Sequence, residues 1–163
     1  MLQRVRTVLL LSLLAALPRE AWAGSPDALV FLVPARASTR ELSSTDVRRI
    51  YLGDLTRWPN HRRVVLGVGP SSTPAGGVFY DRVLRISEID FSQRWLGIVF
   101  RGEAPTSPRV LASREAVSRF FSQNPDGLAF LLLSELDPRD SAVRALAVDG
   151  AKPEDPSYPF RLR

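Results

Sequence analysis

The sequence contains no cysteine among its 163 residues, and it contains only one histidine and one lysine. The absence of cysteine excludes disulfide bonds, thiol catalysis, cysteine-based metal sites and a lipid anchor attached through a thiol. The histidine, His61, lies in a polar turn beside Asn60, Arg62 and Arg63. A single histidine makes a metal site only with several carboxylates at hand, so we expect a surface residue and predict no metal site.

The sequence also lacks any set of residues typical of an active site. The carboxylates are scattered, and no two of them are spaced like a general acid and its base. There is no G-x-S-x-G sequence, and Ser71 and Ser72 have no candidate base except His61. We therefore predict no catalytic residues, no cofactor and no enzymatic activity.

Residues 1–23 are typical of a secretory signal peptide. Two arginines precede an apolar run over 7–17, and Ala21-Trp22-Ala23 fits a small-residue cleavage site. The apolar run of about 11 residues is too short to span a bilayer as a helix. We predict export to the periplasm through cleavage of this peptide, with membrane contact only while it is uncleaved, and a single domain over 24–163.

Removal of that peptide takes away three arginines and one glutamate, which lowers the formal net charge from +5 to +3. The remaining basic excess is modest, although Arg48, Arg49, Arg57, Arg62 and Arg63 form a basic zone in the sequence. Such a zone suits anionic lipid, an acidic partner surface or phosphate. Nucleic acid is disfavoured, because the chain is predicted to be exported and aromatic residues are not interleaved with the arginines.

Short apolar runs that predict buried strands alternate with amphipathic segments that predict helices. Such alternation is typical of an α/β layer structure. The sequence has no internal repeat and no further long apolar segment. The predicted strands are 29–34, 62–69, 109–112, 128–133 and 143–148, and the predicted helices are about 44–52, a segment from Gly77, one capped by Ser87 and one capped by Ser113.

The segment Leu42–Gly53 carries the strongest local pattern. Ser43, Ser44 and Thr45 are able to cap the first turn of a helix, and Gly53 suits the left-handed position that ends one. Apolar residues recur three and four positions apart within it, so one face of this helix must pack on the rest of the domain.

Several motifs in the same order resemble those of phosphate-binding-protein-like periplasmic domains. Leu42–Gly53 with Trp58 resembles the family segment L-S-x-x-x-L-R-x-I-F-L-G-x-x-x-x-W. Asn124–Phe130 resembles N-P-G-A-I-G-Y, and Val148–Gly150 with Tyr158–Arg161 resembles V-D-G followed by Y-P-x-x-R. The resemblance implies a single lobe corresponding to half of a type II periplasmic binding protein, with a mixed sheet flanked by helices.

The resemblance also implies an oxyanion-binding loop formed by Ser71, Ser72, Thr73, Gly76 and Gly77. A strand, a loop of serines and glycines and a helix bring free N–H groups together, and the helix dipole favours an anion there. The family loop also supplies an arginine, which this sequence lacks, and Pro70 and Pro74 remove two N–H donors. A working anion site and an ordinary capped turn both remain open.

Two functions follow. The first is a solute-binding-like protein that takes phosphate or a related oxyanion for an ABC transport system, with an ABC permease or another envelope protein as partner. The alternative is a periplasmic interaction or scaffold module that has lost its ligand. One lobe alone has no second lobe to close over a ligand, so buried, tight binding would need a homodimer or another chain.

Overall fold

The computed structural model describes residues 27–162, so the predicted signal peptide lies outside the described residues. Within them, none of the helices has the length and apolar character needed to cross a membrane. The strands are β1 (Leu29–Pro34), β2 (Glu41–Leu42), β3 (Val65–Val68), β4 (Arg109–Val110), β5 (Gly127–Leu132), β6 (Val143–Ala145) and β7 (Ala147–Val148), and the α-helices are α1 (Ser44–Tyr51), α2 (Pro74–Val78), α3 (Glu88–Phe100) and α4 (Arg114–Gln123).

Five strands form a mixed sheet in the order β4-β3-β5-β1-β6. β3 runs parallel to β4 and β5, whereas β1 lies antiparallel to both β5 and β6. A separate pair of parallel strands, β2 and β7, lies outside this sheet. The predicted α/β class, with a mixed sheet flanked by helices, is confirmed.

The helices cover both faces of the sheet. Along β5 successive side chains point to opposite faces. Phe130 stacks on Phe79 with ring centroids 4.2 Å apart, whereas Gly127 lies against Phe120 of α4. Because residues 127 and 130 point to opposite faces, α4 lies on one face and the segment that contains Phe79 lies on the other.

An aromatic cluster fills the face opposite α4. Tyr51 of α1 is fully buried and contacts Phe31, Phe79 and Phe130, with the ring centroids of Tyr51 and Phe79 4.7 Å apart. Its hydroxyl donates towards the carbonyl oxygens of Gly67 and Leu128, at 3.3 and 3.5 Å. Trp95 of α3 donates to the Tyr51 carbonyl at 2.7 Å, so this one tyrosine joins both helices to the sheet.

The caps of α1 confirm the helix that its sequence pattern predicts. Ser43 accepts the Asp46 N–H, and Gly53 has the left-handed φ of +81°. The Asp149 carboxylate also accepts the Ser44 N–H at 2.8 Å, which adds negative charge at the helix N-terminus.

The second predicted helix begins at Pro74, earlier than expected, and changes character within its length. α2 continues into a π-helical segment, Phe79–Leu84, which ends at Arg85 with a left-handed φ of +56°. Its buried residues include Phe79 and Leu84, five positions apart. A π-helix bonds residues five apart, which explains an apolar spacing wider than an α-helix favours.

Four of the five predicted strands have other bounds in the structure. The predicted strand 109–112 is limited to Arg109–Val110, and 128–133 begins and ends one residue earlier. The predicted strand 62–69 is limited to Val65–Val68, and 143–148 is divided between β6 and β7. The division occurs at Leu146, which donates to Phe31 of β1 while the next N–H donates to Arg40. The chain leaves the large sheet at this buried leucine to pair with β2 instead.

The start of α2 packs closely against the loop before it. A Cβ atom on Gly76 would lie 2.0 Å from the Pro70 carbonyl oxygen, which is a backbone atom with little freedom to move. Gly77 lies one residue further along, and a Cβ atom there would be 3.4 Å from the Ser71 carbonyl oxygen. Glycine is therefore required at the first position and replaceable at the second.

We expect Gly76→Ala to lower the free energy of unfolding by about 1–3 kcal/mol, the usual cost of overpacking. The matched control is Gly77→Ala. Alanine loses less backbone entropy than glycine when a helix forms, so this variant should be neutral or stabilising by up to about 1 kcal/mol. Urea denaturation of the two variants provides the comparison. Equal losses of stability in both variants would contradict this packing.

The tyrosines should make the fold sensitive to alkali. Burial raises the pKa of Tyr51 and of Tyr158, and burial together with the Glu88 charge raises the pKa of Tyr80 to about 12. The folded state then holds more protons than the unfolded state above about pH 10, so stability falls as pH rises, by about 1.4 kcal/mol per pH unit for each tyrosine.

Denaturation midpoints measured between about pH 8 and about pH 11, with tyrosinate absorbance recorded in parallel, check this slope. We expect absorbance to appear together with unfolding. Titration of all the tyrosines near their ordinary pKa in a chain that keeps its native circular dichroism would contradict it.

Candidate oxyanion loop

The loop that follows β3 places Thr73 at the start of α2. The Thr73 hydroxyl oxygen accepts the Gly76 N–H at 3.1 Å and donates to the Pro70 carbonyl at 2.8 Å. The Gly77 N–H donates to the Thr73 carbonyl at 2.8 Å. Thr73, Gly76 and Gly77 therefore use these donors and acceptors to cap the helix and close the turn.

Ser71 is held by a carboxylate from another helix. The Ser71 N–H donates to Glu88 Oε2 at 2.9 Å, and the Ser71 hydroxyl donates to the same oxygen. Glu88 is the first residue of α3, after the capping residue Ser87. A backbone N–H and a hydroxyl that converge on one negatively charged oxygen form the kind of contact that an anionic ligand receives.

Ser72 is the predicted ligand residue that keeps a free donor. Its side chain is exposed, and among residues 27–162 its backbone N–H has no acceptor. The five predicted residues are thus brought together in one loop, but most of their donors are already satisfied within the chain.

The arginines that follow the loop do not replace the one that the family supplies. Arg82 donates to the Arg161 carbonyl at 3.4 Å, and Arg85 ends the π-helical segment in an exposed position. Two arginines of the basic zone are also engaged within the chain: Arg62 pairs with Asp126 at 2.7 Å and Arg57 donates to the His61 carbonyl at 2.7 Å.

A cleft of about 260 Å³ opens at the carboxyl ends of β3, β4 and β5, with Thr73, Ser113, Arg114 and Glu135 in its lining. Helices α2 and α4 leave neighbouring strands for opposite faces of the sheet, and such a crevice is where α/β folds bind ligands. The Arg114 guanidinium pairs with Asp137 at 3.0 Å, and Glu135 accepts the Leu132 N–H at 2.9 Å.

Sequence reasoning missed both Glu88 and Arg114. Glu88 lies 17 positions after Ser71, beyond α2 and the π-helical segment, so the contact depends on how these elements fold back on the loop. The sequence contains a signal for Arg114. It follows a predicted strand and the predicted capping residue Ser113, and the carboxyl ends of parallel strands meet at one edge of a sheet. His61 is exposed as predicted, and no cluster of histidines and carboxylates able to hold a metal ion occurs within the described residues.

No family model matches the sequence. No curated protein matches it either.

Solved structures match the fold. The chain is similar to a protein of Clostridium perfringens described as a phosphate ABC transporter substrate-binding protein, with phosphate bound, at a TM-score of 0.61 and 14% identity over 79% of this chain and 48% of that one. It is also similar to an ABC-type phosphate transport receptor of Vibrio cholerae, at a TM-score of 0.58 and 17% identity over 79% and 49%. PstS of Borrelia burgdorferi matches at 0.58 and 15% identity over 79% and 50%.

The chain therefore spans about half the length of the solved structures it matches, and at these identities the likeness establishes the fold alone. The resemblance to phosphate-binding transport proteins that the motifs indicate is confirmed at the level of the fold.

Proposed function

We propose that this protein is an interaction module of the cell envelope that keeps the fold of a phosphate-binding lobe and does not take free phosphate at the Ser71–Gly77 loop. The contact between Ser71 and Glu88 carries the proposal. It places a carboxylate of the chain against the loop donors, and the module then acts through its surface on another protein rather than by carrying a solute.

Electrostatics supports this assignment. Phosphate is an anion and would have to displace the Glu88 carboxylate or lie beside it. Two unit charges 4 Å apart repel by about 1 kcal/mol in bulk water and by about 4 kcal/mol near a protein surface. Two guanidiniums that could offset that repulsion are already engaged: Arg82 donates to the Arg161 carbonyl, and Arg114 pairs with Asp137.

Phosphate binding for an ABC transport system is the second candidate, and one observation favours it. The loop and the cleft beside Thr73 lie together at the carboxyl edge of the parallel strands, with the Ser72 N–H free. Under that function the partner would be an ABC permease. Under the first, it would be another envelope protein that contacts this lobe directly.

Export is part of both proposals. The charged start, apolar run and Ala21–Ala23 site of residues 1–23 support cleavage after Ala23 and release into the periplasm. Neither function calls for catalysis, so we propose a binding role and not an enzymatic one.

Isothermal titration with phosphate and with sulfate tests the proposed function. We expect the wild-type chain to give no saturable heat at millimolar ligand, because its loop already holds a carboxylate. A saturable isotherm with one site per chain would overturn the proposal in favour of solute binding.

Glu88→Ala tests the reason for that result. Removal of the carboxylate leaves both Ser71 donors without an acceptor and takes away one negative charge. We therefore expect weak sulfate binding in the millimolar range. Asp90→Ala is the matched control: Asp90 also lies in the first turn of α3, but it bonds Ser87 and not the loop. Equal responses of the two variants would show that Glu88 does not exclude the anion.

Intact-mass and N-terminal analysis of the protein from the envelope fraction tests export. We expect a chain that begins at Gly24, and we expect Ala23→Leu to retain residues 1–23, because the cleavage site needs a small residue. A wild-type chain recovered with its N-terminal 23 residues intact would contradict cleavage.

A further inference from the structure

Helix α3 has two apolar faces, and only one of them belongs to the core. Phe91, Trp95 and Ile98 are buried against the sheet side. On the other side Ile89, Leu96 and Phe100 are 69%, 54% and 80% exposed. These three are among the most exposed large apolar side chains in the part of the chain that the structure describes.

The exposed residues form one narrow stripe along the helix. Ile89 and Leu96 are seven positions apart, Leu96 and Phe100 are four apart, and Gln93 fills the position between the first two. At 3.6 residues per turn these spacings place all four side chains on one line, about 16 Å long. Spacings of this kind are those by which one helix anchors against another.

We propose that this face, the α3 stripe, pairs antiparallel with the α3 stripe of a second copy of this chain. The stripe is self-complementary under a two-fold axis between Gln93 and Leu96. Such an axis places Ile89 opposite the second copy's Phe100 and Gln93 opposite its Leu96. The same surface then serves both copies, as a two-fold interface requires.

Charge complementarity favours the same arrangement. Asp90 and Arg101 lie on one flank of the stripe, at opposite ends of α3 and 11 positions apart, the same separation as Ile89 and Phe100. Antiparallel pairing therefore brings Asp90 of each copy towards Arg101 of the other, within about one turn of helix. Arg101 also donates to both carboxylate oxygens of Glu103 in its own chain, at 2.5 and 3.3 Å, and both side chains of this pair are exposed.

The flanks argue for a protein partner and against a membrane surface. A helix that lies on anionic lipid carries a polar face rich in lysine and arginine. Here Glu88 and Asp90 lie at one end of α3, and the cations Arg94 and Arg101 lie beside Asp54 and Glu103 respectively. Positive and negative side chains are therefore balanced along α3. This balance suits contact with a second α3 that runs in the opposite direction.

The length of the stripe sets the strength of the association. One helix pair about 16 Å long falls at the small end of specific interfaces. We therefore expect a reversible dimer that is populated as concentration rises. The pairing needs no ligand, so it goes beyond the proposed function and its outcome is separate from any phosphate titration.

Analytical ultracentrifugation across a concentration series of the protein purified from cells tests the pairing. We expect a monomer–dimer equilibrium in the wild type and an association at least about tenfold weaker in Leu96→Asp. Val110→Asp is the matched control, since Val110 is 64% exposed on strand β4, away from the stripe. A chain that stays monomeric throughout, or equal loss in both variants, overturns the proposal.

A second substitution guards against loss of the fold. Phe100→Ser removes an apolar side chain that is 80% exposed at the last residue of α3, and circular dichroism shows whether each variant is folded. We expect the same weakening as in Leu96→Asp. An unchanged dimer in folded Phe100→Ser places the interface elsewhere and overturns the α3 pairing.

Disulfide trapping tests the register, because the wild-type chain has no cysteine. Gln93→Cys lies beside the proposed two-fold axis and should give a covalent dimer under mild oxidation. Ser118→Cys, exposed on α4, should not. Equal trapping of both variants would overturn the register. Binding of the wild type to anionic vesicles, if Leu96→Asp abolished it, would instead identify a membrane as the occupant of the α3 stripe.

Discussion

The packing of Phe79 on Phe130 is the contact on which the rest of this molecule depends. The two rings stack with centroids 4.2 Å apart and join the segment after α2 to the middle of the sheet. Tyr51 contacts both rings and brings α1 to the same place. Because the end of the short helix α2 is fixed in this way, the Ser71–Gly77 loop is held at the carboxyl end of β3. The geometry of the candidate site is thus a product of aromatic burial in the core.

Carboxylates of the chain itself satisfy backbone donors at several exposed turns. Asp149 accepts from Ser44 at the start of α1, Glu88 accepts from Ser71, and Asp27 accepts from both the N–H and the hydroxyl of Ser134. Each is a charge-assisted hydrogen bond, which is shorter and stronger than a neutral one. At α1 the carboxylate lies at a helix N-terminus, a place where other proteins bind an anionic ligand.

The sequence predicted the features that depend on neighbours along the chain. The caps Ser43, Ser87 and Ser113 and the left-handed Gly53 follow from local hydrogen bonding and are all present. The division of the last strand at Leu146 was not predictable, since it depends on which distant strand each half pairs with. The Glu88 contact was missed for the same reason. A periodic sequence pattern does not predict that a side chain will contact a loop on the far side of a π-helical segment. That contact determines which donors of the loop are available to a ligand.

If the loop takes no phosphate, as proposed, the Ser71–Glu88 contact also makes the stability of this fold independent of phosphate concentration. A lobe that binds phosphate gains stability from ligand in proportion to the logarithm of its concentration. A carboxylate tethered to the same chain has an effective concentration set by the fold, commonly in the millimolar range or above, and it never dissociates into solution. Under the proposed function, a loop held in this way would keep one conformation in phosphate-poor and phosphate-rich media alike. The surface that it supports would then be presented constitutively and not in response to nutrient supply.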